Sequence, residues 1–333
     1  MSPRVEAVVP FWRDRPDDEA LDIAVAVGAA GLDTLWIGEM ATFDAFALAA
    51  AIGHRTPGLG LKIGPVAIGV RTPASMALGA SSVATLTGSP VRLALGASSP
   101  AIVTGWHGLE WKHSASRMLE TLGALRPILA GETSDYDGSH VHTHGFRLRH
   151  PLDDPRVSVA AFGPAMLRAA GRHADEVVVN LVPPSHVGGV RAVIDAEAAA
   201  ADRPAPSLAV WVPVALDPGD EARAQLAAQL AIYLAPPGYG ELFSALGFSE
   251  LVDRARSGMS RAKLADLIPD ELLQCICALG SEEELTERIS AYFQAGADVV
   301  AVVPSTAEDP AGCAVLTVIS ARFPGRPRQE ERL

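Results

Sequence analysis

The chain has 333 residues, of which 49% are hydrophobic and 20% are charged, and its net charge is −12 at pH 7. This composition is typical of a globular protein with a large core, and the negative charge argues against nucleic acid or an anionic membrane surface as the main partner. No apolar run is long enough to span a membrane, and no signal peptide is visible. The three cysteines, Cys275, Cys277 and Cys313, form no C-x-x-C pair, so we expect reduced thiols in a cytoplasmic protein.

Short apolar segments alternate with helical segments along the chain. Strands are predicted at 4–9, 34–37, 61–70, 91–95, 157–161, 176–180, 208–215 and 299–303. Helices are predicted at 17–30, 44–55, 74–87, 116–129, 165–172, 185–201 and 281–295, and a longer helical section, broken at 236–238, covers 219–279. Ser281 and Glu284 form a capping-box pattern at the start of one of these helices.

Eight strands separated by helices are typical of an α/β protein of the (β/α)8 TIM-barrel class. An open, doubly wound sheet is the alternative, but the count of eight and the lack of a G-x-G-x-x-G turn after the first strand favour the barrel. We expect a single domain over residues 1–333, with insertions at about 132–150 and 236–279 and a flexible tail at about 324–333. Asp137-Gly138 predicts a hairpin in the first insertion.

The loop after the fifth strand is a candidate anion site. Phe162, Gly163 and Pro164 separate this strand from a helix that begins at about Ala165. Gly163 permits a positive φ or close backbone approach, and Pro164 suits the first turn of a helix. The free N–H groups of a helix start bind anions such as phosphate. An ordinary connection between strand and helix is the alternative.

Four stretches, taken in order, carry a resemblance to a known family. They are AGLDTLWIGE at 30–39, the helix at 74–87 with RLALG at 92–96, AFGP at 161–164 with AGRHAD at 170–175, and LGSEEE at 279–284 with AGAD at 295–298. Together they resemble the luciferase-like monooxygenase superfamily, most closely its branch of coenzyme F420-dependent oxidoreductases. The resemblance covers nearly the whole chain. It implies a TIM barrel with insertions and a cofactor across the C-terminal mouth, its phosphate at the loop after the fifth strand.

The resemblance also implies which residues hold the cofactor. A non-prolyl cis peptide is implied near Val66–Ala67, and Ser98 and Ser99 are candidates for hydrogen bonds to the cofactor. The full set of expected cofactor-binding residues is Glu39, Val66, Ala67, Gly96, Ser98, Ser99, Phe162, Gly163, Pro164, Ala165 and Asn180. The implied cofactor is coenzyme F420, with FMN as the alternative.

Glu39 and His107 are the candidate catalytic residues. Glu39 ends the second strand, where a carboxylate can accept hydrogen bonds from a cofactor or act as an acid or base. Its alternative role is structural, as a cap of the next helix or a partner of Arg71. His107 lies with Trp12 and Trp106 on loops at the same mouth and titrates near neutral pH, and an exposed loop histidine is its alternative role.

The chain departs from the family pattern at several positions. In members that oxidise sugar phosphates or alcohols, a histidine follows the acid of the second strand, and here that position is Met40. Asp44 lies near the place of their tryptophan, Ser98-Ser99 near the place of their glutamate, and Phe162 replaces the first glycine of the fifth-strand loop. The usual proton-transfer pair is therefore missing, which argues against alcohol oxidation of that type.

A second histidine group lies in the first insertion. His140, His142 and His144 would share one face of a strand and are possible metal ligands. No fourth ligand stands beside them in the sequence, so we predict no metal site.

Two classes of function remain open. The resemblance implies an oxidoreductase that transfers hydride between coenzyme F420 and a small organic substrate, and the missing pair favours reduction of a carbonyl or an activated double bond. An FMN-dependent luciferase-like monooxygenase is the alternative within this class. A barrel that only binds a flavin or deazaflavin, without catalysis, is the alternative outside it. We expect a small-molecule substrate and a homodimer or higher oligomer.

Overall fold

A closed ring of eight parallel strands organises the computed structural model, which describes residues 3–324. The ring contains β1 (Arg4–Val8), β2 (Thr34–Ile37), β3 (Gly60–Ala67), β4 (Val91–Gly96), β7 (Val157–Ala160), β8 (Glu176–Asn180), β9 (Ser207–Leu216) and β11 (Val299–Pro304). β5 (Asp135–Asp137) and β6 (His142–His144) form a separate short hairpin. β10 (Ala278–Gly280) pairs with the C-terminal end of β9. Because β8 pairs with β9, β9 with β11 and β11 with β1, the ring is closed and the open doubly wound sheet is excluded. The predicted TIM barrel is confirmed.

Helices occupy the connections between the strands. They are α1 (Glu19–Ala29), α2 (Ala45–Arg55), α3 (Pro73–Thr87), α4 (Ser114–Leu129), α5 (Pro164–His173), α6 (Pro184–Ala200), α7 (Asp220–Leu230), α8 (Tyr239–Phe243), α9 (Ser249–Arg256), α10 (Arg261–Ala265), α11 (Asp270–Ile276), α12 (Glu282–Gln294) and α13 (Cys313–Arg322). A π-helical turn covers Ala101–Trp106. No helix among residues 3–324 is long and apolar enough to cross a membrane.

Local sequence signals explain where several helices begin. The Asp44 side chain accepts hydrogen bonds from the backbone N–H groups of Phe46 and Ala47, which satisfies donors at the start of α2. The predicted capping box of α12 is confirmed: Ser281 Oγ accepts from Glu284 N, and the Glu284 carboxylate accepts from Ser281 N at 2.7 Å. These caps place the amino ends of the helices next to the carboxyl ends of the preceding strands.

Several predicted elements differ from the structure. The section predicted as helix over 219–279 ends in the short strand β10, and α13 was not predicted. The third strand ends at Ala67 and not at residue 70. The tail predicted as flexible lies, apart from its first residue, outside the described residues.

The third strand also corrects the prediction of a cis peptide. Among the described residues the cis bond is Gly64–Pro65, so the expectation of a non-prolyl cis bond near Val66–Ala67 is wrong. Gly64 has φ +130°, and a Cβ there would lie 2.1 Å from the carbonyl oxygen of Ala94. Only glycine fits this close approach of the two strands.

The barrel interior holds a buried ionic cluster that the sequence analysis missed. Lys62 Nζ lies 2.8 Å from Glu6 Oε2 and 2.9 Å from Glu176 Oε1. Trp36 Nε1 donates to Glu6 at 2.6 Å, and Ser158 Oγ donates to Glu176 at 2.8 Å. Burial raises the pKa of Glu6, although Lys62 opposes the shift. Glu176 begins β8 and Ser158 is the second residue of β7, so this cluster occupies the amino-terminal end of the barrel, away from the mouth.

Candidate active site

The predicted cofactor-binding residues all belong to the carboxyl ends of the barrel strands. Because parallel strands point the same way, these ends meet at one mouth, where enzymes of this fold place their reactive groups. The topology therefore brings together the following residues: Glu39 after β2, Val66 and Ala67 at the end of β3, Gly96, Ser98 and Ser99 at and after β4, Phe162 and Gly163 after β7, and Asn180 at the end of β8. That they bind a cofactor stays a prediction.

Glu39 is held by Arg71, the partner named in its structural alternative. Arg71 Nε donates to Glu39 Oε2 at 3.2 Å, and Arg71 Nη2 contacts both Glu39 Oε1 and Asp44 Oδ2. The backbone N–H of Ala45 also donates to Glu39 Oε1, at 3.3 Å, so Glu39 supports the start of α2. Both carboxylate oxygens are engaged, which favours a hydrogen-bond-accepting role for Glu39 over proton transfer.

The ion pairs of Arg71 also shift pKa values at this site. Burial tends to raise the pKa of Asp44, but hydrogen bonds from Arg71 and from the first amides of α2 outweigh burial and lower it. The hydrogen bond to Glu39 is the largest cause that raises the pKa of Arg71. The loops after β2 and β3 are thus joined by the contacts of Arg71 with Glu39 and Asp44.

The loop after β4 carries the predicted serines and His107. Ser98 is exposed and has φ +61°, while Ser99 is half-buried and its carbonyl accepts from the N–H groups of Ile102 and Val103. His107 is exposed and directly follows the π-helical turn. Its position is that of an exposed loop histidine, so its catalytic role stays a prediction.

The second insertion brings an aromatic side chain into the mouth. Tyr239 stacks on Phe162, with 4.2 Å between ring centroids, and Asn180 Nδ2 donates to the Tyr239 hydroxyl at 3.4 Å. Burial raises the pKa values of Tyr239 and of the neighbouring Tyr233. A Cβ at Gly238 would lie 2.6 Å from Phe162 Cδ1, so glycine is needed for this packing. Tyr239 was not among the predicted site residues. The only sequence feature near it that pointed to a loop was the Pro-Pro-Gly break at 236–238.

The start of α5 remains open beside this stack. Gly163 has φ +77° and Pro164 occupies the first turn, as predicted, and no side chain caps the helix. A Cβ built at Gly163 has no atom within 4 Å. A cavity of about 460 Å³ opens here; its lining comes from α5 and α6 and consists of Gly163, Pro164, Leu167, Arg168, Ala192, Val193, Ala196 and Glu197. An anion can therefore reach the first-turn N–H groups.

Trp211 offers a second open donor. Its Nε1 is buried and has no hydrogen-bond partner within the described residues. Trp211 lies opposite Asn180 in the pairing of β8 with β9, and its ring packs edge-on against Trp36 at 5.5 Å. A buried N–H without a partner is costly, and a ligand oxygen or nitrogen would satisfy it. The residues present thus fit a cofactor with a phosphate and ring carbonyls.

Trp12 and the hairpin histidines are the remaining predicted features. Trp12 is buried in the apolar cluster against which Tyr239 also packs, donates to the carbonyl of Pro304 at the end of β11 at 2.9 Å, and lines a separate cavity of about 530 Å³ beside α7. His142 and His144 contact Asp137 at 3.2 and 3.1 Å across the hairpin, so acidic neighbours that the sequence analysis did not foresee are present. Among residues 3–324, no group of three or more potential ligands is arranged to hold a metal ion.

Comparisons with known proteins agree with this architecture. A Mycobacterium tuberculosis protein named as a coenzyme F420-dependent oxidoreductase is 24% identical over 327 residues, which cover 90% of this chain and 94% of that protein. The coenzyme F420-dependent tetrahydromethanopterin reductase from Methanopyrus kandleri is similar in structure, with a TM-score of 0.79 at 16% identity, over 96% of this chain and 98% of the other.

An FMN complex is also similar. The oxygenating constituent of 3,6-diketocamphane monooxygenase from Pseudomonas putida has a TM-score of 0.71 at 19% identity, over 97% of this chain and 98% of the other. The profile of the luciferase-like monooxygenase family matches residues 12–299. Because this match spans most of the barrel, the chain belongs to the luciferase-like monooxygenase family.

Proposed function

We propose that this protein is an oxidoreductase that binds coenzyme F420 at the barrel mouth and transfers hydride between it and a small organic substrate. The observation that carries the proposal is the uncapped start of α5, open beside Gly163 at the position where the family resemblance implies a phosphate. The unpartnered Nε1 of Trp211 supports it as a donor for a ring acceptor. The curated relative from Mycobacterium tuberculosis, named for the same coenzyme, supports the choice of cofactor.

The chain's residues divide the work of binding. In this proposal the backbone N–H groups of Gly163 and Ala165 hold the phosphate at the start of α5, and Pro164, which has no N–H, fixes the turn. Trp211 and Ser99 donate to the ring. Glu39, fixed by Arg71, accepts a hydrogen bond from the cofactor. The bound coenzyme supplies the hydride, and the protein orients the reactants and excludes water. Reduction of a carbonyl or activated double bond would take up a proton together with the hydride. Since Met40 replaces the histidine that serves in alcohol oxidation, His107 would supply that proton in this proposal.

The test is a calorimetric titration with coenzyme F420 and, separately, with FMN. We expect micromolar binding of F420 and about a threefold to tenfold loss of affinity in Trp211→Phe, which removes one hydrogen-bond donor and keeps the ring. Trp106→Phe is the matched control and should bind as the wild type does, because Trp106 is exposed. Binding of neither cofactor would contradict the proposal and leave a barrel whose cofactor site has been lost or serves another ligand.

An FMN-dependent monooxygenase is the second candidate, favoured by the similarity to the FMN complex from Pseudomonas putida. The same titration separates the two. If FMN binds more tightly than F420, and Trp211→Phe weakens the binding of FMN, the result would favour an FMN-dependent monooxygenase.

We also infer a homodimer or higher oligomer of a single-domain chain, located in the cytoplasm. Leu78 and Leu86, 54% and 64% exposed, lie eight residues apart on one face of α3. An apolar stripe exposed along one face of a helix is a candidate for a subunit contact. Sedimentation of the wild type and of Leu78→Glu tests this: the wild type should sediment as a dimer and the variant as a monomer.

A further inference from the structure

Four of the nine large hydrophobic side chains that are exposed within residues 3–324 lie on two loops at the mouth. Met40 and Phe43, 37% and 39% exposed, follow β2, and Trp106 and Leu109, 57% and 44% exposed, follow β4. We call these four side chains the apolar rim. Exposed apolar groups that cluster beside a site indicate contact with an apolar ligand more often than single scattered ones do.

Contacts between the intervening loops hold the two halves of the apolar rim. Arg71, after β3, binds Glu39 and Asp44, which flank Met40 and Phe43 on either side. The loop after β3 also packs against the π-helical turn, because a Cβ at Gly69 would lie 3.1 Å from Val103 Cγ1. The rim is therefore attached to a fixed framework at the candidate site.

The next observation is the charge around the rim. Residues 38–113, all of which the structure describes, contain five arginines and lysines, and each contacts a carboxylate. The pairs are Arg55 with Asp22, Lys62 with Glu6 and Glu176, Arg71 with Glu39 and Asp44, Arg92 with Asp154, and Lys112 with Glu110. The arginines and lysines of this sector are therefore all paired with carboxylates, and none of them is free to bind a phosphate or carboxylate of a substrate.

We propose that the apolar rim binds the hydrocarbon part of an uncharged substrate, such as an aliphatic ketone, and that phosphorylated and carboxylated compounds are poor ligands. This inference rests on the proposed function, since it names the substrate class of the same mouth. Met40 has a direct part in it: the position that carries a histidine in relatives acting on sugar phosphates or alcohols here presents an apolar side chain next to Glu39.

The test is calorimetric titration of the F420-saturated protein with methyl ketones from butanone to decan-2-one, with decanoate and glucose 6-phosphate as charged probes. Burial of each methylene should tighten binding about threefold to fourfold until the rim is covered. Trp106→Ala and Met40→Ser should each weaken decan-2-one binding about tenfold and leave F420 binding unchanged. Val25→Ala, which removes an exposed valine (42%) on α1, outside the loops that follow the strands, is the matched control.

The outcomes separate this inference from the proposed function. Equal affinity for all ketones, or tighter binding of glucose 6-phosphate, overturns the inference even if F420 binds. If F420 does not bind, the same ketone series on the cofactor-free protein still tests the rim. A change in sedimenting mass in Trp106→Ala would show that a second copy of the chain, not a substrate, covers the rim, and would also overturn it.

Discussion

Arg71 is the residue on which the geometry of the mouth depends most. It donates to Glu39 and Asp44 and lies over the ring of Phe46, with 5.1 Å from Arg71 Cζ to the ring centroid. The sequence allowed this pair to be named in advance as one role of Glu39, because an acid at a strand end and an arginine at the next strand end come close in any parallel barrel. What the sequence did not show was that one guanidinium serves two carboxylates.

We expect Arg71→Met to lower the free energy of unfolding by about 1–3 kcal/mol, because it leaves two partly buried carboxylates without their charged donor. The matched control is Arg55→Met, whose pair with Asp22 is more than half exposed and should contribute about 0–1 kcal/mol. Urea unfolding of both variants measures the difference. An equal decrease in the free energy of unfolding in both variants would show that the Arg71 contacts stabilise the fold no more than an exposed ion pair does.

Tyr239 is the residue-scale feature that the sequence could not supply. It lies 59 residues from Asn180, in an insertion whose path no local pattern fixes. Phe162 stands where the family has its first loop glycine, and the structure shows how its side chain packs: the ring stacks on Tyr239.

Replacement of Tyr239 separates stacking from hydrogen bonding. Tyr239→Phe keeps the stack and removes a long hydrogen bond, so we expect a loss of about 0.5–1 kcal/mol. Tyr239→Ala removes the stack as well and should cost about 3–5 kcal/mol. Thermal or urea unfolding of the two variants measures both values. If the two losses agree within error, the ring does not stabilise the mouth.

At the scale of elements, the predictions succeeded where a local turn or capping signal marks the end of an element. The β5–β6 hairpin was predicted from Asp137-Gly138, and α12 from Ser281 and Glu284. β10 has three residues, too few to show an alternating pattern, and its partner is the distant end of β9. α13 has the sequence CAVLTVISAR, in which the β-branched residues give no clear helical period.

The capping box at the start of α12 allows a prediction about stability. Ser281→Ala removes the oxygen that accepts from Glu284 N, and we expect a loss of about 0.5–2 kcal/mol in the free energy of unfolding. Ser185→Ala is the control, because Ser185 is exposed near the start of α6 and its hydroxyl contacts only the adjacent His186. Comparison of the two by urea unfolding checks it, and a loss as large in the control would contradict the assigned cap.

For the whole molecule, barrel closure was predictable because the count of strands alone implies it, whereas the ionic cluster inside was not. Lys62 lies 56 residues from Glu6 and 114 from Glu176, and only the closed ring brings the three together. Each of these residues sits in an apolar strand, where the sequence shows an isolated charge and no partner. The same holds for the predicted site at the mouth. The sequence predicted which strand ends meet there, but not which side chains contact each other across the loops.

The cluster makes stability depend on pH. Burial raises the pKa of Glu6 in the folded protein above its ordinary value of 4.5, so between the unfolded and folded pKa values the folded state binds more protons than the unfolded state. This contribution is complete below the unfolded pKa and is lost as pH rises through the folded pKa. We therefore expect the free energy of unfolding to fall with rising pH above about 4.5, and to fall less in Glu6→Gln.

Urea unfolding across about pH 5 to 8 measures both slopes. Asp17→Asn is the control, since Asp17 is exposed. Parallel curves for wild type and Glu6→Gln would contradict the assignment of the proton to this cluster.

The sealed position of Lys62 has a practical consequence for chemical labelling. The chain has only three lysines, and while Lys112 and Lys263 are exposed, the Lys62 side chain is 3% exposed. An amine-reactive reagent should modify the two exposed lysines at once and reach Lys62 only when the strands part. Mass spectrometry of the peptide that contains Lys62 would then measure the rate at which the barrel opens. The peptides that contain Lys112 and Lys263 serve as internal references.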